Sequence, residues 1–477
     1  MSKTKHTYIF RSGVLRYIYS VCKVTTINSI LDKVAENCQP TDKEIKKLTT
    51  IGDHVKKLIS DYNSPKIKEV VFGGSFAKAT WIKGDADIDI FVKIDPAISE
   101  EEFEELGKQI GLQTLQRYKP YLRYSDHPYV EAFIEGTRVN VVPCYSVAKG
   151  SWKSIADRSP FHTEYVKINL DDYKRKQVRL LKKFLKSAGI YGSEIATNGF
   201  SGYVAEVLIL KYGSVESVMW AFSEMSKEKN VISIDIVAED ILKTFQSDVI
   251  IMDPIDPKRN LGTAISAESL GKFILTARAF LERPSTEFFI VREKDFVKPY
   301  TKLDSNLLIV EFTYQKRSPD IIWGQMKRSL NAISQQLELA GFTVIRSTCI
   351  TDEKKSAAFV FLLESILLPF YTEKKGPAVF RKTDSASFIT KNSKNNLPIW
   401  IAKDMRITTL VQRKIISAKD YTMVLLTERL ERSGVTKGLR QDILLHGHIY
   451  TGTELKLKGI VKDAANELLA TEPLIFQ

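Results

Sequence analysis

The sequence predicts an α/β head, a mainly helical central domain and an α+β C-terminal region. Three observations carry that reading. Up to about residue 150, short apolar runs of strand length alternate with amphipathic helical stretches. From about 167 to 290 the apolar residues recur at helical spacing, as Val178, Leu181 and Leu185 do in "DDYKRKQVRLLKKFLKSAG". Beyond that, strand-like runs ("LLIVEFTY", "AAFVFLLES") mix with the helical stretch "WGQMKRSLNAISQQLELAG". A chain of 477 residues exceeds one ordinary core. The expected divisions are an N-terminal arm at 1–24, a head at 25–166, a centre at 167–290 and a C-terminal region at 291–477.

Taken in order, residues 25 to 62 read as two helices separated near "NCQPTDKEIKKL", with Thr41 and Glu44 forming a capping box for the second. "KEVVFGGSFAKA" is a strand running into a glycine turn and a helix start. "DADIDIFVKI" is a second strand, bounded by Gly84 and Pro96. "SEEEFEELGKQIGLQTLQRY" is an amphipathic helix with acids in its first turn. "YVEAFIEGTRVNVVPCYSV" is a hairpin turning near "EGT". The helix beginning at "DDYKRK" stops at Gly189. No internal repeat or low-complexity linker interrupts the chain.

Composition narrows the class of partner. The 44% hydrophobic and 27% charged residues are those of a water-soluble globular protein, and no apolar run approaches the roughly 18–20 residues that span a bilayer. Four widely spaced cysteines (Cys22, Cys38, Cys144, Cys349) argue against a zinc site or a disulfide framework and fit a reducing cytoplasm. A formal charge of +13 favours a polyanionic partner. Without an amphipathic anchor or a lipidation motif, nucleic acid is the expected one rather than a membrane.

The chemistry concentrates in "VVFGGSFAKATWIKGDADIDIFVKI", residues 70–94. Alternation along a strand puts Asp87 and Asp89 on one face and Ile88 and Ile90 on the other. Two like charges side by side repel, and a hard divalent cation such as Mg²⁺ is the best reason to place them so. Ser75 ends "GGS" twelve residues before Asp87; Gly73 and Gly74 let backbone approach a phosphate to which Ser75 can donate. The arrangement resembles the signature of the nucleotidyltransferase superfamily that includes DNA polymerase β, where two metals clamp the attacking hydroxyl and the leaving pyrophosphate.

A closer resemblance follows. "GGSFAKATWIKGDADIDIFV", "HPYVEAFIEGTRVNVVPCY", "DRSPFHTEYV", "FLKSAGIYG", "GFSGYVAEVLI" and "DPIDPKRN" stand in the order found in archaeal-type (class I) CCA-adding tRNA nucleotidyltransferases. The match spans most of 25–475, is strong to about 290 and is looser beyond. The resemblance implies a polymerase β-like head, a helical neck and a C-terminal body and tail that bind tRNA. It implies Mg²⁺ at Asp87 and Asp89, and Ser75 and Lys78 on the triphosphate, with Lys78 where the family often has arginine. It further implies Ser159, His162, Lys182 and Tyr191 around ribose and phosphates, and Arg259 at the base edge. The implied partners are the tRNA acceptor end, CTP and ATP, with a homodimer left open.

Each role has a plainer counterpart. Lys182 reads equally as one of several solvated helix lysines, Tyr191 as a packing aromatic and His162 as a capping or surface histidine. Arg259 with Asn260 reads as a loop tie, and "HGH" at 446–448 as a solvated turn. The C-terminal stretch around Lys374, Lys375, Arg381, Lys382, Lys391 and Lys394 interleaves cations with aromatics, a pattern suited to RNA. One departure stands out. The family carries a third carboxylate in a context like "VDVVPCY", and this chain reads "VNVVPCY", with Asn140 at that place. The alternatives to CCA addition are a poly(A) or oligoadenylate-type polymerase of the same superfamily and, because Asn140 replaces the third carboxylate, a catalytically impaired tRNA-binding homologue.

Overall fold

The computed structural model describes residues 27–124, 127–228, 230–235, 239–291, 301–454 and 457–476. The expected arm at 1–24 lies outside them. The described residues form two compact units, one running to 291 and including 472–476, the other spanning 301–471.

In the first unit, helix α1 (27–38) precedes α2 (Asp42–Asp61), whose first turn is capped by the Thr41 side chain accepting from Glu44 N. Strand β1 (Ile67–Gly73) runs into the single-turn helix α3 (Gly74–Lys78), and β2 (Asp87–Ile94) follows. Helix α4 (Glu100–Thr114) is capped by Ser99 and carries three glutamates in its first turn, where they favour the positive end of the helix. Strands β3 (Tyr121–Tyr124), β4 (Pro128–Ile134) and β5 (Thr137–Tyr145) complete a five-stranded sheet of order β1-β2-β5-β4-β3. Strands β2 and β5 are parallel and the other pairs antiparallel. One face of β2 (Ile88, Ile90, Val92, Ile94) is sealed against Leu48, Ile51 and Val55 of α2 and Phe103 and Ile110 of α4. Alternation then forces Asp87 and Asp89 to the opposite face.

Helices α5 (Arg158–Asn169), α6 (Asp172–Ser187), α7 (Gly202–Tyr212) and α8 (Val215–Ser223) follow. After them come β6 (Val231–Ile232), α9 (Glu239–Leu242), β7 (Ile250–Ile251) and α10 (Ala267–Glu282). Their core is aromatic-rich, with Phe184, Phe200, Phe222, Phe273 and Phe280 fully buried.

In the second unit, β8 (Leu307–Thr313), β9 (Val344–Thr351) and β10 (Ser356–Leu363) share a sheet of order β14-β8-β10-β9, β14 being His448–Thr451. Both faces are covered, which explains why "LLIV" and "AAFVFLL" are continuously apolar. Leu308, Val310, Phe359 and Phe361 pack on α11 (Pro319–Ala340), while Leu307, Ile309, Ala358 and Val360 pack on the helix at Gly459–Leu469. A separate sheet, β11-β13-β12 (Tyr371–Ala378, Arg406–Gln412, Ile399–Ile401), carries α12 (Lys382–Asn392). His446 and His448 are exposed, but His446 ends the helix at Lys437–His446 and His448 begins β14, so the pair spans a helix–strand junction rather than a turn.

Candidate active site

Register brings the metal-type residues together. Asp89 lies opposite Asn140 on β5, and Asn140 lies opposite Glu131 on β4, so all three side chains share a sheet face with Asp87. Asn140 Nδ2 donates to Asp89 Oδ1 at 2.8 Å, while Asn140 Oδ1 is buried without a hydrogen-bond partner. Arg138 Nε approaches Asp87 Oδ1 at 3.2 Å on the rim. Desolvation pushes the Asp87 pKa up to about 6, with Arg138 opposing and Asp89, Asp85 and Glu131 adding to the rise. Asp89 is raised as well, again chiefly by desolvation, against the Asn140 hydrogen bond and the charges of Lys78 and Arg138. Gly74 sits at φ +61°, and a side chain there would collide with the Asp89 carboxylate. The glycine is needed for the turn and for this close approach.

Two sequence neighbours that could replace the third carboxylate are engaged elsewhere. Asp85 is paired with Lys186. Glu131 is 2% exposed and receives hydrogen bonds from the Tyr121 hydroxyl and from Arg123, at 3.3 Å from Nε and 3.4 Å from Nη2. Glu135 stands in the β4–β5 turn at φ +50°, its carbonyl accepting from Lys47.

Lys78 and Lys182 are buried side by side on one carboxylate. Glu206, in the apolar run of α7, accepts from Lys78 Nζ at 2.5 Å through Oε2. Its Oε1 accepts from Thr80 Oγ1 at 2.6 Å and Lys182 Nζ at 3.3 Å. Lys182 Nζ also donates to Thr80 O at 3.1 Å. Desolvation would raise the Glu206 pKa, but Lys78 and Lys182 hold it below the ordinary carboxylate value. Lys182 is depressed by desolvation in spite of Glu206. Tyr191 belongs here too. The position of a Cβ on Gly202 lies 3.0 Å from the Tyr191 hydroxyl and 3.5 Å from Lys182 Nζ. Lys182 is therefore not a solvated helix lysine.

His162 is neither a cap nor a surface residue. Its Nε2 lies 2.9 Å from Asp253 Oδ2, and its ring stacks on Tyr203 with centroids 4.0 Å apart. Desolvation holds its pKa below the ordinary value, so at neutral pH the uncharged ring donates through Nε2–H. Asp253 also accepts from the Tyr203 hydroxyl at 3.1 Å, from Ile255 N at 2.9 Å and from Arg259 Nη1 at 3.4 Å. Arg259 and Asn260 both tie the loop: the Arg259 carbonyl accepts from Asp253 N at 3.1 Å, and Asn260 Oδ1 accepts from Ile251 N and Gly262 N at 2.8 and 2.7 Å. Arg259 also borders a cleft of about 690 Å³ with Trp152, Arg158 and Asp256. Ser75 and Ser159 are half-buried at the starts of α3 and α5. Ser75 contributes its carbonyl to Thr80 N at 3.0 Å, and the Ser159 carbonyl accepts from Thr163 Oγ1 at 2.9 Å.

Sequence reasoning missed Tyr203, Glu206 and Asp253. The signal for Glu206 was available: a lone acid within "YVAEVLI" has to be paired. Asp253 gave none beyond its place in "DPIDPKRN".

Comparison with known proteins agrees with this geometry. Residues 53–166 match the nucleotidyltransferase domain, 176–290 the second domain of tRNA nucleotidyltransferase, and 304–451 the C-terminal domain of CCA-adding enzyme. The head thus defines a nucleotidyltransferase. The CCA-adding enzyme of Pyrobaculum neutrophilum is 36% identical over 75% of this chain and 84% of its own. That of Methanocaldococcus jannaschii is 34% identical over 87% of this chain and 94% of its own. The chain belongs to the CCA-adding enzyme family. Among solved structures, the Cid1 poly(U) polymerase aligns with a TM-score of 0.44 at 14% identity, over 55% of this chain and 98% of that one.

Proposed function

We propose that this protein adds C, C and A to the 3′ end of tRNA from CTP and ATP, releasing pyrophosphate, with Asp87 and Asp89 as its metal-binding carboxylates. The observation that carries the reading is the Asp89–Asn140 register pair beside the Gly73–Gly74–Ser75 turn. Nucleotidyltransferases generally use divalent metal ions. Asp87, Asp89 and the partnerless buried oxygen of Asn140 form an all-oxygen donor set that suits a hard cation, Mg²⁺ in this proposal. Such ions supply charge neutralisation at the attacking hydroxyl and at the leaving pyrophosphate.

The chain's own residues do the rest. Gly74 brings backbone close to the carboxylates, and Ser75 donates toward phosphate. Lys78, Lys182 and Tyr191 face the triphosphate, Ser159 and His162 the ribose and phosphates. Arg259 offers its fork of donors to a cytosine or adenine edge without a template base. Asp253 holds both His162 and Arg259 in place. The sheet and helix at 371–412 hold tRNA through Lys374, Lys375, Arg381, Lys382, Lys391 and Lys394. They lie among Phe380, Trp400 and Ile401, which are 78%, 38% and 67% exposed. Among the described residues no helix is long and apolar enough to cross a membrane. Cys38, Cys144 and Cys349 are buried free thiols, which suits the cytoplasm as the site of action.

A second reading rests on Asn140, which is neutral and donates to Asp89 rather than sharing a cation with it. In that reading nucleotide and tRNA bind but chemistry is slow. Purified protein, tRNA lacking its 3′ CCA, Mg²⁺ and labelled nucleotides offered singly separate the cases. Addition of C followed by a stop after A supports the proposal, a run of A supports a poly(A)-type polymerase, and tRNA binding without incorporation supports impairment.

A further inference from the structure

We propose that Glu206 is the positioning residue of the triphosphate subsite, holding the Lys78 and Lys182 ammonium groups at one point with a positive charge in excess. The inference rests on the nucleotide-binding reading above and deepens it. Nothing in the sequence comparison assigns Glu206 a role.

Three facts carry it. Glu206 is fully buried, and both of its oxygens are taken, one by Lys78 and the other by Thr80 and Lys182. Two lysines meet one carboxylate, so within the cluster cationic groups outnumber acids in a dry place, which suits a phosphate. The cluster also links three segments that are far apart in sequence. Lys78 ends α3 next to the "GGS" turn, Lys182 lies on α6 and Glu206 on α7. One carboxylate therefore sets where both cations stand relative to Asp89, with which Lys78 interacts electrostatically. The other ionisable groups facing the cluster are Asp85 with its partner Lys186, Asp89, His162 (held below its ordinary pKa by desolvation), and the phenols of Tyr191 and Tyr203. None of them can replace the Glu206 hydrogen bonds, since Asp85 is committed to Lys186, Asp89 accepts from Asn140, His162 is bonded to Asp253, and the phenols stay protonated in the working range.

The charge of Glu206 is what makes two adjacent buried ammonium groups compatible. Without it, each disfavours the other, and Lys182, already depressed by desolvation, gives up its proton at lower pH. Anion affinity then falls as pH rises. A purely structural Glu206 has no such consequence for pH.

The test is CTP binding and single-turnover kinetics on the full chain carrying Glu206→Gln, from pH 6.5 to 9, with CMP as the probe that lacks two phosphates. The expected result is at least a tenfold weaker CTP affinity at pH 8.5, weakening further with pH, and less than a threefold change for CMP. Glu206→Asp, which keeps the charge on a shorter arm, should restore the flat pH dependence of the natural protein. Unchanged or tighter CTP binding by Glu206→Gln overturns the proposal, as does an equal loss for CTP and CMP. If Glu206→Gln does not fold, the natural protein still decides. Calorimetry of CTP binding at pH 8, in buffers of different ionisation enthalpy, should show nearly no proton uptake. Uptake approaching one proton means that a lysine was neutral beforehand and refutes the inference. Lys182→Ala and Lys78→Ala separate this from the underlying reading. If neither weakens CTP binding, the nucleotide site itself is misplaced; if both do and Glu206→Gln does not, only the role of Glu206 fails.

Discussion

The sheet face at Asp87, Asp89 and Asn140 and the helical cluster around Glu206 and Asp253 balance their charges in different ways. Around Glu206 and Asp253 every carboxylate oxygen accepts at least one hydrogen bond, and both acids are held below their ordinary pKa. At the sheet face the reverse holds: Asp87 and Asp89 are both raised, and a buried amide oxygen has no partner. The helical cluster is a scaffold whose carboxylate oxygens are all engaged, and it positions cations and a histidine. The sheet face holds carboxylates that burial strips of water and that its hydrogen bonds and cations only partly compensate, a deficit that a bound cation would relieve. The contrast says which substitutions act on chemistry and which on geometry.

The largest effect is expected from removing the imbalance altogether. Asp87→Ala or Asp89→Ala should take nucleotide incorporation below detection while tRNA affinity stays within a few-fold, measured by primer extension and filter binding. Incorporation at the natural rate in either variant would end the metal assignment.

Asn140→Asp sharpens the contrast in the other direction. It adds a third negative charge and removes the amide that occupies Asp89 Oδ1. The single-turnover rate should rise, and the Mg²⁺ concentration for half-maximal rate should fall on the order of tenfold, the lower end of what altered ligand surroundings do to metal affinity. No gain would show that the natural chain obtains its third ligand elsewhere.

Arg259→Ala tests the helical cluster. Leaving a buried base edge unpaired costs on the order of 1–3 kcal/mol, so preference for CTP and ATP over GTP and UTP should drop by roughly 5- to 150-fold with the fold intact. Unaltered preference would remove Arg259 as the base reader.

The smallest effect is on stability. The folded Asp87 pKa is raised from 3.8 to about 6, so ionising this group costs the folded state more than the unfolded one. Its contribution is fully present below about pH 4 and is lost as pH rises through 6. In metal-free buffer Asp87→Asn should therefore be slightly more stable than the natural protein at pH 7, and the advantage should vanish by pH 4. Asp87 is 41% exposed, so solvent screening keeps the difference small. Thermal melts of both proteins in EDTA across that range check it.

Much of the architecture was legible because it is local. Period-two alternation placed Asp87 and Asp89 on one face, the Thr41–Glu44 spacing marked the start of α2, and Gly189, at φ +68°, follows the end of α6. The family match added Lys182, His162 and Arg259, which local patterns alone left as a surface lysine, a capping histidine and a loop tie.

The sequence by itself determined the face of β2 that carries carboxylates, the glycine turn beside it, the basic C-terminal stretch and the substitution at Asn140. The first three depend on neighbours within a few residues, where backbone geometry fixes direction, and the substitution stands out only against the motif of the family that the chain resembles. Only the tertiary structure decided that Asn140 donates to Asp89, that Glu131 is occupied by Tyr121 and Arg123, and that Glu206 gathers Lys78 and Lys182. It also decided that Asp253 joins His162 to Arg259. Those partners are 51, 10, 8, 128, 24, 91 and 6 residues apart. A buried charge must find a partner, but sequence does not say which; packing of the sheet and the helices brings one candidate within hydrogen-bond reach and buries the others elsewhere.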